Sequence, residues 1–257
     1  MSREYSLDLK QNAIDSLSES IRYYEQAVTD ESKYKFCIIL FFHFIELLLK
    51  SCVEKINPLL CYKEPYSSNI HKAKTITWFQ AIQIIVNSKN GFSKDLIVQI
   101  EILSKLRNNI THYKFEYKTS EIRKVIAVIV PGLIGIYKEA TGDDLFEEFD
   151  PRTVDLLDEI QTDYNRELHL AQAEALEEAG GDRELLRDCY SCISSNTAVQ
   201  MDDELTHCFY CDEIDIIVEC GRCTQKLQAS EMTIFGETEG GHTIYMCDYC
   251  LDYMDAQ

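Results

Sequence analysis

The feature that most constrains the fold of this chain is a series of four C-x-x-C pairs near its end. They use eight of the eleven cysteines and are Cys189/Cys192, Cys208/Cys211, Cys220/Cys223 and Cys247/Cys250. A C-x-x-C turn directs two thiolates toward one point, and two such turns complete the tetrahedral ligand set that Zn²⁺ prefers. The first residues, "MSREYSLDLK", contain no apolar signal segment. The sequence therefore predicts two all-cysteine zinc sites, each with four ligands, in a cytoplasmic protein rather than a disulfide framework.

The four C-x-x-C pairs, or knuckles, can combine into two four-cysteine sites in two ways. The gaps between successive pairs are 15, 8 and 23 residues. Sequential pairing gives tandem zinc ribbons, whereas a cross-brace would join the first pair to the third and the second to the fourth. The first gap fits a short hairpin, so we favour tandem ribbons. Sites made of cysteine alone have no open position, which indicates structural rather than catalytic metal. His207 and His242 lie beside the pairs but are not needed as ligands.

The charge of the chain is divided unevenly. The number of Lys and Arg residues minus the number of Asp and Glu residues is 19 − 15 = +4 for residues 1–142. The same difference is 6 − 29 = −23 for residues 143–257. This asymmetry indicates separate modules with different partners. Residues 182–257 carry only four Lys or Arg, so RNA or DNA would be repelled. A protein partner is expected instead, either another chain or the basic half of this chain, which would then be inhibited by charge mimicry.

Residues 1–142 have the periodicity of a helical bundle. The most apolar run, "FCIILFFHFIELLLK" at residues 36–50, is shorter than a membrane span and contains His43 and Glu46. A buried helix is therefore predicted, and no membrane partner. Thr77 followed by Gln80 has the pattern of a capping box, which opens another helix. A mildly basic, mainly α domain is expected over this range.

An acidic helix should connect the two halves. Asp150 is a suitable N-cap and Pro151 a suitable first helical residue, and Gly180–Gly181 should end the helix. We favour a connecting helix that packs on the bundle over an arm that pairs with another copy. The predicted organisation is a helical domain at 1–142, an acidic connecting helix at 143–181 and a β-rich module of tandem four-cysteine zinc ribbons at 182–257.

The fourth helix of the bundle carries a polar cluster. Its apolar stripe is Leu96, Ile100, Leu103, Ile110 and Tyr113, and the stretch "LRNNITHYKF" at residues 106–115 adds Arg107, Asn108 and His112. Asn108 and His112 are four residues apart and share a face of the helix. The simplest interpretation is a polar face in water. The functional interpretation is that these three side chains form a site for chemistry.

The motif and the order of helices resemble the HEPN superfamily, the helical domain of many RNA-cleaving toxins and defence proteins. The family motif is Arg, a polar residue, three variable residues and His, which here is Arg107, Asn108 and His112. The resemblance covers roughly residues 5–140, and the pattern "HFIELLLK" places Glu46 where the family often has an acidic residue. The fold class expected is mainly α: a HEPN-like bundle, an acidic helix and a small β-rich zinc-ribbon module.

The resemblance implies a metal-independent endoribonuclease, in a toxin or anti-phage defence role, that acts as a homodimer with one shared cleft. His112 would transfer protons, Arg107 would bind and stabilise the phosphate of the RNA substrate, and Asn108 would orient His112 or the phosphate. Glu46 would support Arg107, although a polar pair with His43 is an alternative. The competing hypothesis is a non-catalytic HEPN and zinc-ribbon adaptor that recruits a protein partner.

Overall fold

The structure is a computed structural model, and it separates into two compact units. It describes residues 8–66, 73–88, 91–112, 118–202, 204–238 and 241–255, without the side chains of His112, Asp252, Tyr253 and Asp255. The first unit is Met1–Tyr164 and the second is Asn165–Gln257. The boundary between the units falls inside one helix, so each half of that helix is described with its own unit.

The first unit is a helical bundle, which confirms the prediction for this half of the chain. Its helices are α1 (Leu9–Ala27), α2 (Tyr34–Ile56), α3 (Trp78–Asn87), α4 (Lys94–His112), α5 (Thr119–Thr141) and the first half of α6 (Pro151–Glu178). The longest interface is between α1 and α2, and α2 also contacts α3, α4 and α5. Helix α2 is therefore the element around which the bundle is built.

Helix α2 is central because it is apolar on nearly every side. Phe41, Phe44 and Ile45 are at most 1% exposed. Burying each such side chain contributes about 1.5–3 kcal/mol relative to leaving it in water. Among the described residues, the stretch Glu31–Ile56 has the length and composition of a membrane span, with a mean hydropathy of 2.1, but 67% of that window is buried inside the protein. A core helix accounts for this composition.

The ends of α3 and α4 follow the local sequence signals. The Gln80 backbone N–H donates to the Thr77 hydroxyl (3.3 Å), and the Thr77 backbone N–H donates to the Gln80 side chain (3.0 Å), as a capping box requires. The Leu96 N–H donates to the Ser93 hydroxyl at 3.2 Å. A Cβ at Gly132 would lie 3.0 Å from the Leu96 side chain, so this glycine lets α4 approach α5 closely.

The second unit contains the end of α6 and all the strands of the described chain. Strands β1 (Leu186–Cys189), β2 (Ser194–Gln200), β3 (Leu205–Cys208), β4 (Ile214–Glu219) and β5 (Lys226–Gln228) form an antiparallel sheet in sequence order. A separate hairpin follows, β6 (Met232–Glu237) and β7 (Thr243–Cys247), and then the short helix α7 (Asp248–Asp255). Strand β4 pairs with β3 through its first half and with β5 through its second half, so the sheet bends along this strand.

Helix α6 contributes to the cores of both units. The Thr153 N–H donates to the Asp150 carboxylate at 3.1 Å, and Gly180 has a φ of 61° just beyond the last turn. Leu157 and Ile160 are buried in the bundle core. Ala175, near the end of the helix, and Ala179, directly after it, form a small apolar cluster with strand residues of the second unit. The first half of α6 therefore packs in the core of the first unit, and its last turns pack in the second unit.

A glycine inside α5 and the glycine that caps its C-terminus should respond oppositely to the same substitution. Gly135 is exposed in the helix, with open space where a Cβ would lie, so Gly135→Ala should raise the free energy of unfolding by about 0.5–1 kcal/mol. Gly142 ends the helix at a φ of 79°, where a Cβ is strained, so Gly142→Ala should lower it by about 1 kcal/mol. Urea denaturation followed by helical circular dichroism measures both, and changes of equal sign would contradict this account.

Candidate functional sites

The first candidate site is a cluster of four cysteine sulfurs. The Sγ atoms of Cys189 and Cys211 are 3.7 Å apart, and those of Cys192 and Cys208 are 3.8 Å apart. A tetrahedron with metal–sulfur bonds of about 2.3 Å has edges of about 3.8 Å, whereas a disulfide would bring two sulfurs to about 2.05 Å. The donor set therefore fits a four-coordinate metal ion.

The second candidate site is built from the remaining pairs. The sulfurs of Cys220, Cys223, Cys247 and Cys250 all lie within 4.8 Å of one another, and those of Cys223 and Cys247 are 3.8 Å apart. The cysteines are thus grouped in sequential pairs, and the cross-brace is excluded. Two tetra-cysteine groups that could each hold a metal ion are the site prediction that the structure supports most directly.

Three of the four knuckles share one backbone geometry. The residue after the second cysteine has a positive φ, between 57° and 61°, at Ile193, Asp212 and Thr224. Its N–H donates to the carbonyl of the first cysteine of its knuckle, at distances of 2.6, 2.9 and 3.0 Å. This conformation is unfavourable for residues other than glycine, above all for the β-branched Ile193 and Thr224. Convergence of the sulfurs must therefore offset a local backbone cost.

The fourth knuckle lies at a junction between a strand and a helix, and not in a turn of the kind that tandem zinc ribbons predict. Cys247 is the last residue of β7, and Cys250 lies in the first turn of α7. Elsewhere in this cluster, the backbone N–H of Cys223, followed by that of Cys247, lowers the pKa of the Cys220 thiol to about 6 despite its burial. The thiolate form that binds metal is therefore favoured at Cys220.

The two histidines near the pairs are not part of either cluster. His207 packs its ring 4.8 Å from the ring of Phe209, and its Nε2 is 3.8 Å from an Asp212 carboxylate oxygen. Among the described residues, the groups of potential ligands contain cysteines alone. His207 and His242 are therefore bystanders to the metal ligands, as the sequence indicated.

The third candidate site surrounds Arg107 on α4. Its Nη1 donates to the side-chain oxygen of Asn108 at 2.9 Å, and its Nη2 lies 4.0 Å from a carboxylate oxygen of Glu46 on α2. The guanidinium carbon is 5.0 Å from the centroid of the Phe42 ring, which is buried. The structure thus brings together three of the four residues that the sequence proposed for catalysis.

The fourth of these residues is His112. It is the last residue of α4, so its backbone belongs to the same helix as Arg107 and Asn108. Its side chain lies outside the described residues, as does all of Tyr113. The other predicted members of the apolar stripe, Leu96, Ile100, Leu103 and Ile110, are buried as expected.

His43 lies near this site, one turn before Glu46 on α2. Partial burial lowers the pKa of His43, and the positive charges of Lys50 and Arg107 act in the same direction, while Glu46 opposes them. The imidazole is therefore kept neutral at neutral pH. The spacing of the sequence placed His43 beside Glu46, but it did not identify Phe42 as the ring beneath Arg107. The one available signal was that Phe42 and Glu46 are four residues apart and share a face of α2.

Comparison of this chain with protein-family models, with curated proteins and with solved structures yields no match.

Removal of one cysteine should remove one metal ion. Each cluster supplies a complete set of four ligands. Cys208→Ser should therefore lower the metal content from two equivalents per chain to one after equilibration with excess metal. Elemental analysis measures this content. The control is Cys61→Ser, because Cys61 is buried in the helical unit and lies outside both clusters. Equal metal content in the wild type and Cys208→Ser would contradict the assignment.

The lowered pKa of His43 has a consequence for stability. Because the folded-state pKa lies below the ordinary value of 6.5, the neutral ring stabilises the fold above that pH, and the contribution is lost as the pH falls. His43→Gln should therefore lose less unfolding free energy than the wild type between about pH 7.5 and about pH 5.5. Denaturant titrations at the two pH values measure this, and an equal or larger loss in the variant would contradict it.

Proposed function

We propose that the helical unit is a metal-independent endoribonuclease of the HEPN type, in a toxin or anti-phage defence role. In this proposal two copies of the chain form one cleft lined by Arg107, Asn108 and His112. The observation that supports it most is the placement of Arg107. Its guanidinium is partly exposed, with 37% of the side chain accessible, and it is held between Asn108, Glu46 and the Phe42 ring.

This placement suits recognition of a phosphate. An arginine has five N–H donors in a planar fork, and a phosphate oxygen pair accepts two of them. Among the described residues, Asn108 accepts from one terminal nitrogen and Glu46 lies beyond hydrogen-bond distance of the other. The aromatic ring fixes the plane of the guanidinium by a cation–π contact, which contributes about 0.5–1 kcal/mol at an exposed site. A pre-oriented cation with donors to spare is what a phosphate-binding role requires.

The chemistry would use the nucleophile that RNA itself supplies. The 2′-oxygen attacks the phosphorus, the bond from phosphorus to the 5′-oxygen breaks, and a 2′,3′-cyclic phosphate and a 5′-hydroxyl result. One histidine accepts the proton of the 2′-hydroxyl, and the other copy's motif is available to protonate the 5′-oxygen. Arg107 stabilises the negative charge that develops on the phosphate oxygens. Glu46 acts through Arg107 and is a positioning residue.

We further propose that the ions in the two tetra-cysteine clusters are Zn²⁺. Sulfur separations of 3.7–3.8 Å match tetrahedral coordination, and four thiolates complete the preferred set. Such closed sites stabilise the fold and leave no coordination position for a substrate. Their contribution to folding is on the order of 10 kcal/mol each.

The acidic second unit would then dock or regulate the protein rather than bind RNA. Residues 165–257 contain five Lys or Arg against twenty Asp or Glu, which gives 5 − 20 = −15. A phosphate backbone is repelled by such a charge. The second candidate function is a non-catalytic adaptor, because the contact of Arg107 with Glu46 and Asn108 also suits a purely structural link between α2 and α4.

Cleavage of RNA by purified full-length protein, in buffer with enough EDTA to remove free Mg²⁺, tests the enzyme against the adaptor. Arg107→Ala and His112→Ala should each lower the rate by about 10²–10³-fold, because each removes a group used in the transition state. The matched control is Lys105→Ala, an exposed residue of the same helix, which should keep the wild-type rate. Mass spectrometry should find 2′,3′-cyclic phosphate ends.

Three results would contradict the ribonuclease. They are equal cleavage by all variants, cleavage that requires added Mg²⁺, or absence of cleavage by the wild type with pooled cellular RNA. Metal analysis of each preparation ensures that loss of activity does not reflect loss of the cysteine-bound ions.

A further inference from the structure

One face of the five-stranded sheet in the second unit is apolar and only partly covered. The register of the strands places Leu205 opposite Ile216 and His207 opposite Ile214. Met201 lies beside Leu205, since its N–H donates to the Leu205 carbonyl at 2.9 Å. Directly paired side chains lie on the same face of a sheet. Met201, Leu205, Ile214 and Ile216 therefore form one continuous surface, which we call the apolar face, and His207 lies on the same face between Val199 and Ile214.

The apolar face is exposed to an unusual degree. The four residues are 49%, 36%, 62% and 46% accessible. An antiparallel sheet with one face in water normally alternates apolar and polar residues, with the polar ones outward. In β4 the pattern is inverted, because outward Ile214 and Ile216 are more exposed than the intervening Asp215. Neighbouring isoleucines at water-facing positions are typical of an interaction surface.

The adjoining part of the same face is already covered by a helix. Leu186 and Val199 are paired across β1 and β2. They pack with Ala175 in the last turns of α6, with Ala179 directly after that helix, and with Phe209. The small alanines let this helix lie close to the sheet. Val199 of β2 and Phe209, just after β3, belong to this cluster, whereas Met201, Leu205, Ile214 and Ile216 lie outside it. The bare surface therefore continues an existing helix-on-sheet interface.

The rim of the apolar face is acidic. Asp202 and Glu204 flank Met201 and Leu205, and Asp212 and Glu213 precede Ile214; all four acidic residues are exposed. The unit as a whole carries −15. A second copy of this unit would bring the same charge and would be repelled. The complementary occupant has apolar residues on one side and positive charges around them.

We propose that the apolar face binds a basic amphipathic helix of a partner protein, which packs on the sheet beside the end of α6. Apolar side chains of that helix cover Met201, Leu205, Ile214 and Ile216, and its Lys or Arg residues meet the acidic rim. The inference rests on the proposed docking role of the second unit and is independent of the chemistry at Arg107. Failure of RNA cleavage would leave it standing, and its failure would leave the ribonuclease proposal standing.

The test uses full-length protein and two designed helical peptides. Both carry leucines at the i, i+3, i+4 and i+7 spacing of one helix face, and the other face is lysine in one peptide and glutamate in its twin. Fluorescence anisotropy of labelled peptide measures binding. The lysine peptide should bind, its affinity should fall as salt is raised, and the glutamate twin should not bind.

Matched variants locate the binding surface. Ile214→Ser with Ile216→Ser should weaken binding of the lysine peptide by at least about tenfold, because central apolar contacts carry most of the binding energy. The control pairs Ile234→Ser with Phe235→Ser, which removes two residues of similar exposure from β6 and should leave affinity unchanged. Both double variants should retain two equivalents of metal, which shows that the unit is folded.

Three outcomes would overturn the proposal. The first is equal affinity of the wild type and the Ile214/Ile216 variant for the lysine peptide. The second is equal binding of the two peptides, which would make charge irrelevant. The third is a concentration-dependent dimer of the wild type that the Ile214/Ile216 variant loses, measured by sedimentation, which would assign the face to a second copy of the chain.

Discussion

The convergence of four sulfurs at each of two points is the constraint on which the fold of the second unit depends. The buried apolar clusters of this unit are small, and cysteine ligands are themselves members of them: Cys189 and Cys208 pack with Ala198, and Cys220, Cys247 and Cys250 pack with two methionines. An unfilled cluster would leave these short strands with little buried area to oppose chain entropy. In the helical unit the opposite holds, since one continuous apolar core around α2 is sufficient.

The sequence predicted those features that depend on local or periodic signals. The capping box at Thr77, the N-cap at Asp150 and the buried stripe of α4 each need only neighbouring residues to be recognised. The structure confirms the capping box, the N-cap and the four described members of the stripe. The sequential grouping of cysteines also followed from spacing. The strand–helix junction at Cys247 and Cys250 did not, because a C-x-x-C spacing is compatible with either a turn or the first turn of a helix.

Features that depend on long-range packing could not be predicted from the sequence. Phe42 lies in an uninterrupted apolar run, where no periodicity distinguishes the ring that will support Arg107 from the rings that fill the core. The exposure of Ile214 and Ile216 could not be predicted either. The pattern "IDIIVEC" indicates a half-buried strand whether or not a helix covers that strand. Only the end of α6 over Val199 reveals how far that cover extends. The role of His112 stays a prediction from its motif.

Strand β4 belongs to both metal-binding halves of the second unit. Its first residues pair with β3, which ends at Cys208, and its last residues pair with β5 and lead directly into Cys220. An ion at either cluster therefore orders part of the strand that the other cluster needs. Binding of a second ion would therefore cost the chain less conformational entropy than binding of the first, and the two sites would bind metal with positive cooperativity. Under limiting metal, the chains would divide into fully loaded and empty populations, with few half-loaded molecules between them.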